Sequence, residues 1–319
     1  MAPALPGFTA CAALFLAVSL VVVNAGFLFN RTLTRFDAYA FRSELFRGAQ
    51  RNAGAAGALR VPVPYPYLEG LDWVVHRERT GEGYGPIYLL GELRHGRGFP
   101  GYYFYATLFK TPLPTLLIIL AAIVSYVARR RRFEFWRNEW VVVCPVLFFT
   151  IYFNFFYRAQ IGIRYFLVVF PLLYVFAGSL LADWTRVSRR TTTALASALL
   201  LTAASVLSYF PHFIPYFNEL VPDRRLAYRI LADSNLDWRQ HRWYLDRYLA
   251  EHPRAVIEPE RPQAGTILAG VNVLTGVGGD PARLAWLRDN FTPVDHIAYS
   301  VLVYRVTPAD VERVEMSKR

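Results

Sequence analysis

The sequence predicts a multi-pass α-helical membrane protein of about five spans with a small extracytoplasmic α/β domain at its C-terminal end. Three observations predict it. Of the 319 residues, 54% are hydrophobic and only 18% charged, which is too apolar for an ordinary soluble chain. The apolar residues come in long blocks separated by arginine-rich turns. After Phe210 the blocks give way to short β-branched and amphipathic stretches, so composition divides the chain into a transmembrane region, 1–210, and an outer domain, 211–319.

A span must cover a hydrocarbon core of about 30 Å at about 1.5 Å per residue, hence roughly 20 residues. Residues 8–29 meet that length without a charge, and the uncharged Met-Ala-Pro-Ala-Leu-Pro-Gly before them lacks the basic start of a secretory signal peptide, so a retained span is expected. Asn30 to Gly101 forms a polar loop rich in Arg, Gly and Pro. Its Val61-Pro-Val-Pro-Tyr-Pro-Tyr67 run is restricted to extended backbone, and one short helix is expected at Leu68 to Arg77. The loop closes on Gly101-Tyr-Tyr-Phe-Tyr105, an aromatic belt of the interfacial kind. Further spans are expected at Tyr105 to Ala128, with Pro112 and Pro114 near its outer end, Trp140 to Tyr157, Tyr165 to Trp184, and Thr191 to Phe210. Asn154, inside the third span, is expected to bond a neighbouring helix.

In the outer domain, Ser234 and Asp237 have capping-box spacing and predict a helix running through Trp243 and Tyr248 to Pro253. Thr266 to Val273 and His296 to Tyr304 carry the β-branched and aromatic enrichment of strands, with a helix between them over Pro281 to Asn290.

The net charge of +11 sits beside the apolar blocks and comes without a groove-reading motif, so it speaks for membrane orientation and lipid headgroups rather than nucleic acid. Arg129 to Arg137 and Arg186 to Arg190 are the short basic loops and are assigned to the cytoplasm. That puts the 30–101 loop, the Arg158 to Arg164 turn and everything after Phe210 outside. Counting span lengths from Arg129, Trp140 and Asp183 places Lys110, Arg158 and Arg164 at one depth, a cationic cluster at the outer leaflet. Lysine occurs in this chain only at 110 and 318, which makes Lys110 hard to dismiss as surface filler.

Several short motifs occur in a fixed order: Tyr88-Leu-Leu-Gly-Glu92, Gly101-Tyr-Tyr-Phe, Lys110-Thr-Pro-Leu-Pro114, Arg164-Tyr165 before Pro171, Tyr216-Phe-Asn-Glu219 and Asp233-Ser-Asn-Leu-Asp-Trp238. From about Pro64 onward the chain resembles the C-terminal half of bacterial glycosyltransferases of family 39, the protein O-mannosyltransferase-like enzymes with the GT-C membrane fold. The resemblance implies transfer of a sugar from a polyprenyl-phosphate carrier at the outer face of the bacterial inner membrane. In that family the catalytic acidic residues lie on the first outer loop of the N-terminal half, which has no counterpart in this sequence. Asp37 lacks the acidic neighbour of that motif and reads as a solvated loop residue. Arg239 and His241 stand where the family's pattern has Gly and Asp, and no catalytic residue is assigned.

A phosphate leaving group gathers negative charge at the membrane surface, and fixed cations there stabilise it. Lys110, Arg164 and Arg158 are the candidates, against snorkelling to ordinary lipid headgroups. Glu92, Tyr103, Asp233, Asn235 and Asp237 are candidate sugar or acceptor contacts. The alternating oxygens of Asp233, Asn235 and Asp237 begin like a calcium loop, but Trp238 replaces its glycine and Tyr244 its closing glutamate. The six histidines show no ligand spacing, and Cys11 and Cys144 lie in apolar runs, so neither metal nor cofactor is expected. Two functions are consistent with these residues. One is the carrier- and acceptor-binding part of a glycosyltransferase, inactive alone and either truncated or completed by a separate N-terminal half. The other is a non-catalytic membrane scaffold whose outer domain binds a partner.

Overall fold

The structure is a computed structural model that describes residues 5–128, 139–181 and 187–316, with the side chains of 5–8 left aside. The basic loops at Arg129 to Arg132, Arg137 and Arg186, with Asp183 and Trp184, lie outside the described residues. The chain divides into two units, Met1–Tyr84 and Gly85–Arg319.

In the first unit, α1 (Leu5–Gly26) is the apolar N-terminal helix. Asn24 ends it by donating to Leu20 O and Pro62 O and accepting from Thr32. The polar loop then folds on a stack of Tyr39, Phe41 and Tyr65 rings, with Tyr39 and Tyr65 centroids 4.5 Å apart. Buried Asp72 on α3 (Tyr65–Thr80) accepts from the backbone of Arg42 and Ser43 and from the Ser43 hydroxyl, tying α2 (Glu44–Asn52) to α3. The helix expected at Leu68 to Arg77 therefore extends by a turn at its start, where Pro66 is tolerated because first-turn amides need no intrahelical partner.

The second unit opens with the hairpin β1 (Ile87–Leu89) and β2 (Glu92–Arg94), followed by α4 (Tyr102–Lys110) and α5 (Leu113–Ala128). These two helices are bent by 117° about Thr111 and Pro112, so residues 105–128 do not form one straight span. The bend follows from the sequence: Thr111, preceding a proline, is driven to extended backbone (φ −109°, ψ 133°), and Pro112 has no amide to continue the ladder. The carbonyls freed at the break are taken by Asn218. Its side-chain amide donates to Leu108 O and Thr111 O, and its backbone amide donates to Phe109 O.

Helix α6 (Trp140–Ile151) ends in a π turn over Tyr152–Phe156, which turns fully buried Asn154 toward α4. Asn154 accepts from Phe104 N through its side chain and from Gly101 N through its carbonyl, capping the start of α4 as the expected helix-to-helix bond. A 3-10 segment (Ile163–Val168) leads into α7 (Val169–Ala177), and α8 (Arg189–Leu207) completes the apolar helices. Among the described residues three helices are long and apolar enough to cross a membrane, namely Thr9–Gly26, Ile163–Leu181 and Arg189–Leu207, or four if the bent pair counts as one span. Trp140–Phe156 is shorter, so among the described residues three or four of the expected five spans meet the length and composition of a membrane crossing.

Beyond α8, α9 (Arg242–Glu251) packs on a four-stranded sheet in the order β3 (Val256–Ile257), β4 (Gly265–Gly270), β6 (Val301–Val306), β5 (Asp295–Ile297). The β3 and β4 strands are parallel and the remaining pairs antiparallel. Alternation sorts the two faces. Leu268, Val301 and Val303 meet α9, while Ile267, Leu302 and Tyr304 join α10 (Val271–Leu274) and α11 (Ala285–Asn290). That second cluster continues into Tyr102, Tyr103, Phe166 and Phe170, so the polar tail and the apolar helices share one core. Helix α12 (Pro308–Met316) closes the chain.

The stretch expected as one strand, His296 to Tyr304, is two strands reversed at Ala298 and Tyr299, both in left-handed backbone. The helix expected from Ser234 begins only at Arg242. Asp233 adopts φ +59° and turns the chain into a short 3-10 segment, and the Ser234 hydroxyl donates to Ile161 O instead of capping.

Candidate functional site

The segment Asp233 to Trp238 holds the predicted residues together. Its Asn235, 1% exposed, is bonded through every polar group. The side-chain amide donates to the Tyr102 hydroxyl (2.8 Å) and Ala232 O, the side-chain oxygen accepts from Ile163 N (3.1 Å), and the backbone carbonyl accepts from Lys110 Nζ (2.6 Å). Three elements thus meet on one buried asparagine: α4, the turn before α7 and the C-terminal region after α8. Gly162 in that turn (φ +147°) lies so close to the Ser234 hydroxyl that a side chain would collide with it.

Lys110 closes α4, where a cation complements the helix dipole. Its ammonium donates to Ile214 O (2.8 Å) as well as Asn235 O and lies 4.9 Å from the centre of the Phe217 ring. Carbonyls leave its charge uncompensated, and among the described residues no carboxylate lies within ion-pair distance. Beside it opens a cavity of about 370 Å³, walled mainly by Ile163, Leu167, Phe170, Pro171 and Tyr174. A cation at the end of an apolar cleft suits a lipid with an anionic headgroup.

Arg164 reaches the same segment from the other side. Its guanidinium lies 4.4 Å from the Trp238 ring centre and 5.0 Å from that of Tyr165, and among the described residues it donates no hydrogen bond. Trp238 is half exposed and fixed by its indole N–H to Ser234 O (2.7 Å). The Asp233 carboxyl beside them is pushed above the ordinary carboxylate range by burial, an effect that a Ser234 backbone hydrogen bond and the charge of Arg164 oppose. Lys110 and Arg164 therefore flank one segment without lining one cavity, and exposed Arg158 lines neither feature.

Among the other candidates, Tyr103 is a correction. It is 0% exposed, packed among Tyr102, Phe153 and Phe166, with no face left for a sugar. Glu92 sits exposed on the hairpin and pairs with Arg94 (2.7 Å), apart from the segment above. Asp237 accepts from Arg239 N and bonds His241 Nδ1 (2.8 Å). With Asn235 also committed, the three oxygens that resembled a calcium loop do not converge. Asp37 pairs with Arg35 at the surface. Sequence reasoning missed Asn218 and Gln160. The latter forms a reciprocal amide pair with the Phe99 backbone, and the visible signal was a polar amide at the edge of an apolar run.

Comparisons with protein-family models, with curated proteins and with solved structures found no match to the chain.

Proposed function

We propose that the chain is a multi-pass membrane protein that binds a polyprenyl-phosphate-linked sugar, as the carrier- and acceptor-binding part of a glycosyltransferase completed by a separate catalytic half. The observation that carries the reading is Lys110, a cation without a carboxylate at the end of an apolar cavity. The phosphate would take the ammonium's remaining N–H, and the prenyl chain would follow Leu167, Phe170 and Tyr174 toward the lipid. Arg164 and the half-exposed Trp238 stand beyond the same segment, where a guanidinium and an indole suit the sugar or acceptor. The arginine-rich connections, read by the positive-inside rule, put this face and the outer domain outside the cytoplasm of a bacterial inner membrane.

The test is binding of polyprenyl phosphate to the chain in lipid nanodiscs, read by native mass spectrometry. Lys110→Ala should weaken binding about tenfold or more, as loss of a charge-assisted contact does. Because Lys110 also braces two carbonyls, Leu167→Trp, which fills the exposed side of the cavity, serves as the second variant and should weaken binding equally. Wild-type affinity in both variants removes the carrier reading. Sugar incorporation from a labelled donor, absent for the chain alone and restored by a catalytic half, tests the transferase part.

A further inference from the structure

A second cavity, of about 470 Å³, lies between the β1–β2 hairpin and the outer domain and shares no lining residue with the Lys110 cavity. Its walls are held before any ligand arrives. The hairpin tip, with Leu90 at φ +50° and Gly91 at φ +86°, is clamped to the outer domain by Leu90 N donating to Ile230 O (2.9 Å) and by a bridge between Leu89 and Leu231. The opposite wall is a loop closed by Arg288, whose guanidinium donates to Leu274 O and Pro281 O, both at 3.2 Å. Within that loop Gly276 (φ +82°) packs so tightly on Pro281 that a Cβ would clash. Preorganised walls reduce the ordering cost of binding.

The lining is chemically mixed. Arg229 and Arg288 bring two positive charges, and Asp289 brings one negative charge, already paired with Arg288 at 2.9 Å. Arg229 makes one long contact, 3.5 Å to the Tyr228 hydroxyl, and among the described residues its other donors have no acceptor. The cavity therefore holds one uncompensated guanidinium. The Tyr88 hydroxyl is pushed up to about 12, chiefly by burial, with Arg288 and Arg229 pulling the other way, so both charges are felt at the cavity wall. Leu90, Leu93 and Pro281 add aliphatic surface. The volume is several times that of a bare oxyanion and falls in the range of small-molecule sites.

We propose that this cavity binds an anionic saccharide, a sugar ring bearing a carboxylate or phosphate. Arg229 grips the charge, the tyrosine hydroxyls meet the ring hydroxyls, and the Leu and Pro side chains meet its C–H face. The proposal is independent of the carrier site, since it rests on different residues and on a soluble ligand.

Calorimetric titration of the purified full chain in detergent tests it, with glucuronate, glucose 6-phosphate, glucose and inorganic phosphate as probes. Saturable binding of at least one anionic sugar is expected, with Kd about 1 mM or tighter, and about tenfold weaker binding of glucose and of inorganic phosphate. Arg229→Ala should weaken the anionic sugar about tenfold and Arg229→Lys less, because the point charge survives without the fork. Arg229 is exposed, so an unchanged Tm is expected. Should Arg229→Ala lower it, Arg229→Gln takes its place with the same expected loss. The proposal is overturned if neither anionic sugar saturates, if phosphate binds as tightly as the sugars (an ion site alone), if glucose does, or if the Arg229 variants bind like wild type.

Discussion

At the scale of single residues, Asn235 and Asp233 show how positions two apart take opposite roles. Asn235 is a structural tie. Replacing it by Ala leaves Ile163 N without its acceptor and the Tyr102 hydroxyl and Ala232 O without their donor, at a cost of about 3 kcal/mol. The measurement is the Tm in detergent, and a variant as stable as wild type would show that the three elements do not depend on that side chain. Asp233 is the reverse case, a side chain the fold tolerates at a penalty. Its pKa is raised by burial, so the folded state holds its proton more tightly than the unfolded state. The penalty is absent below the unfolded carboxylate value near 4, grows as pH rises toward the folded value and is complete above it. Asp233→Asn, equally at home in left-handed backbone, should therefore raise Tm at pH 7 and lose that advantage as pH falls. An advantage that persists at low pH would point to the backbone rather than the charge.

At the scale of elements, the break between α4 and α5 decides where Lys110 points. The sequence marks Pro112 and Pro114 near the outer end of one span over Tyr105 to Ala128, and so supplies the cause of the break. It did not spell out the angle, because that is fixed by Asn218, more than a hundred residues away, capping the freed carbonyls. Pro112→Ala restores an amide but leaves that cap, so it should cost less than about 1 kcal/mol. Asn218→Leu strands two carbonyls and should cost about 2–4 kcal/mol. Equal effects, followed by SDS-induced unfolding, would assign the bend to proline alone. The same contrast explains what the chain revealed in advance. Of the strands drawn at Thr266 to Val273 and His296 to Tyr304, the first was legible only as far as Gly270, where α10 takes over, and the second concealed a reversal at Ala298 and Tyr299 that β-branched and aromatic enrichment does not mark. The helix drawn from Ser234 was not legible at its start, since its capping-box spacing is real but the left-handed Asp233 diverts the hydroxyl to Ile161. Tyr103 looked interfacial because an aromatic run reads alike whether it faces lipid or, as here, a neighbouring Phe166.

At the scale of the whole molecule, the apolar helices expose side chains such as Leu14, Phe148 and Leu200 by 61–72%, which is costly in water and neutral in lipid. Cys11 and Cys144 are likewise exposed on apolar helices. If lipid covers those surfaces, both thiols should react slowly with a water-soluble maleimide in membranes and fast in SDS, and equal rates would remove the spanning assignment. Orientation then follows from two cysteines placed in a Cys11→Ala, Cys144→Ala background. Glu260→Cys lies on the exposed loop between β3 and β4, and Arg190→Cys lies in the first turn of α8. The positive-inside reading puts them on opposite sides, so an impermeant reagent should label position 260 in intact spheroplasts and position 190 only after permeabilisation. Labelling in the reverse order would turn the molecule over and put Lys110, Arg164 and Trp238 in the cytoplasm. There the Lys110 cavity would meet a carrier at the inner leaflet, and the acceptor reaching Trp238 would have to be a cytoplasmic one.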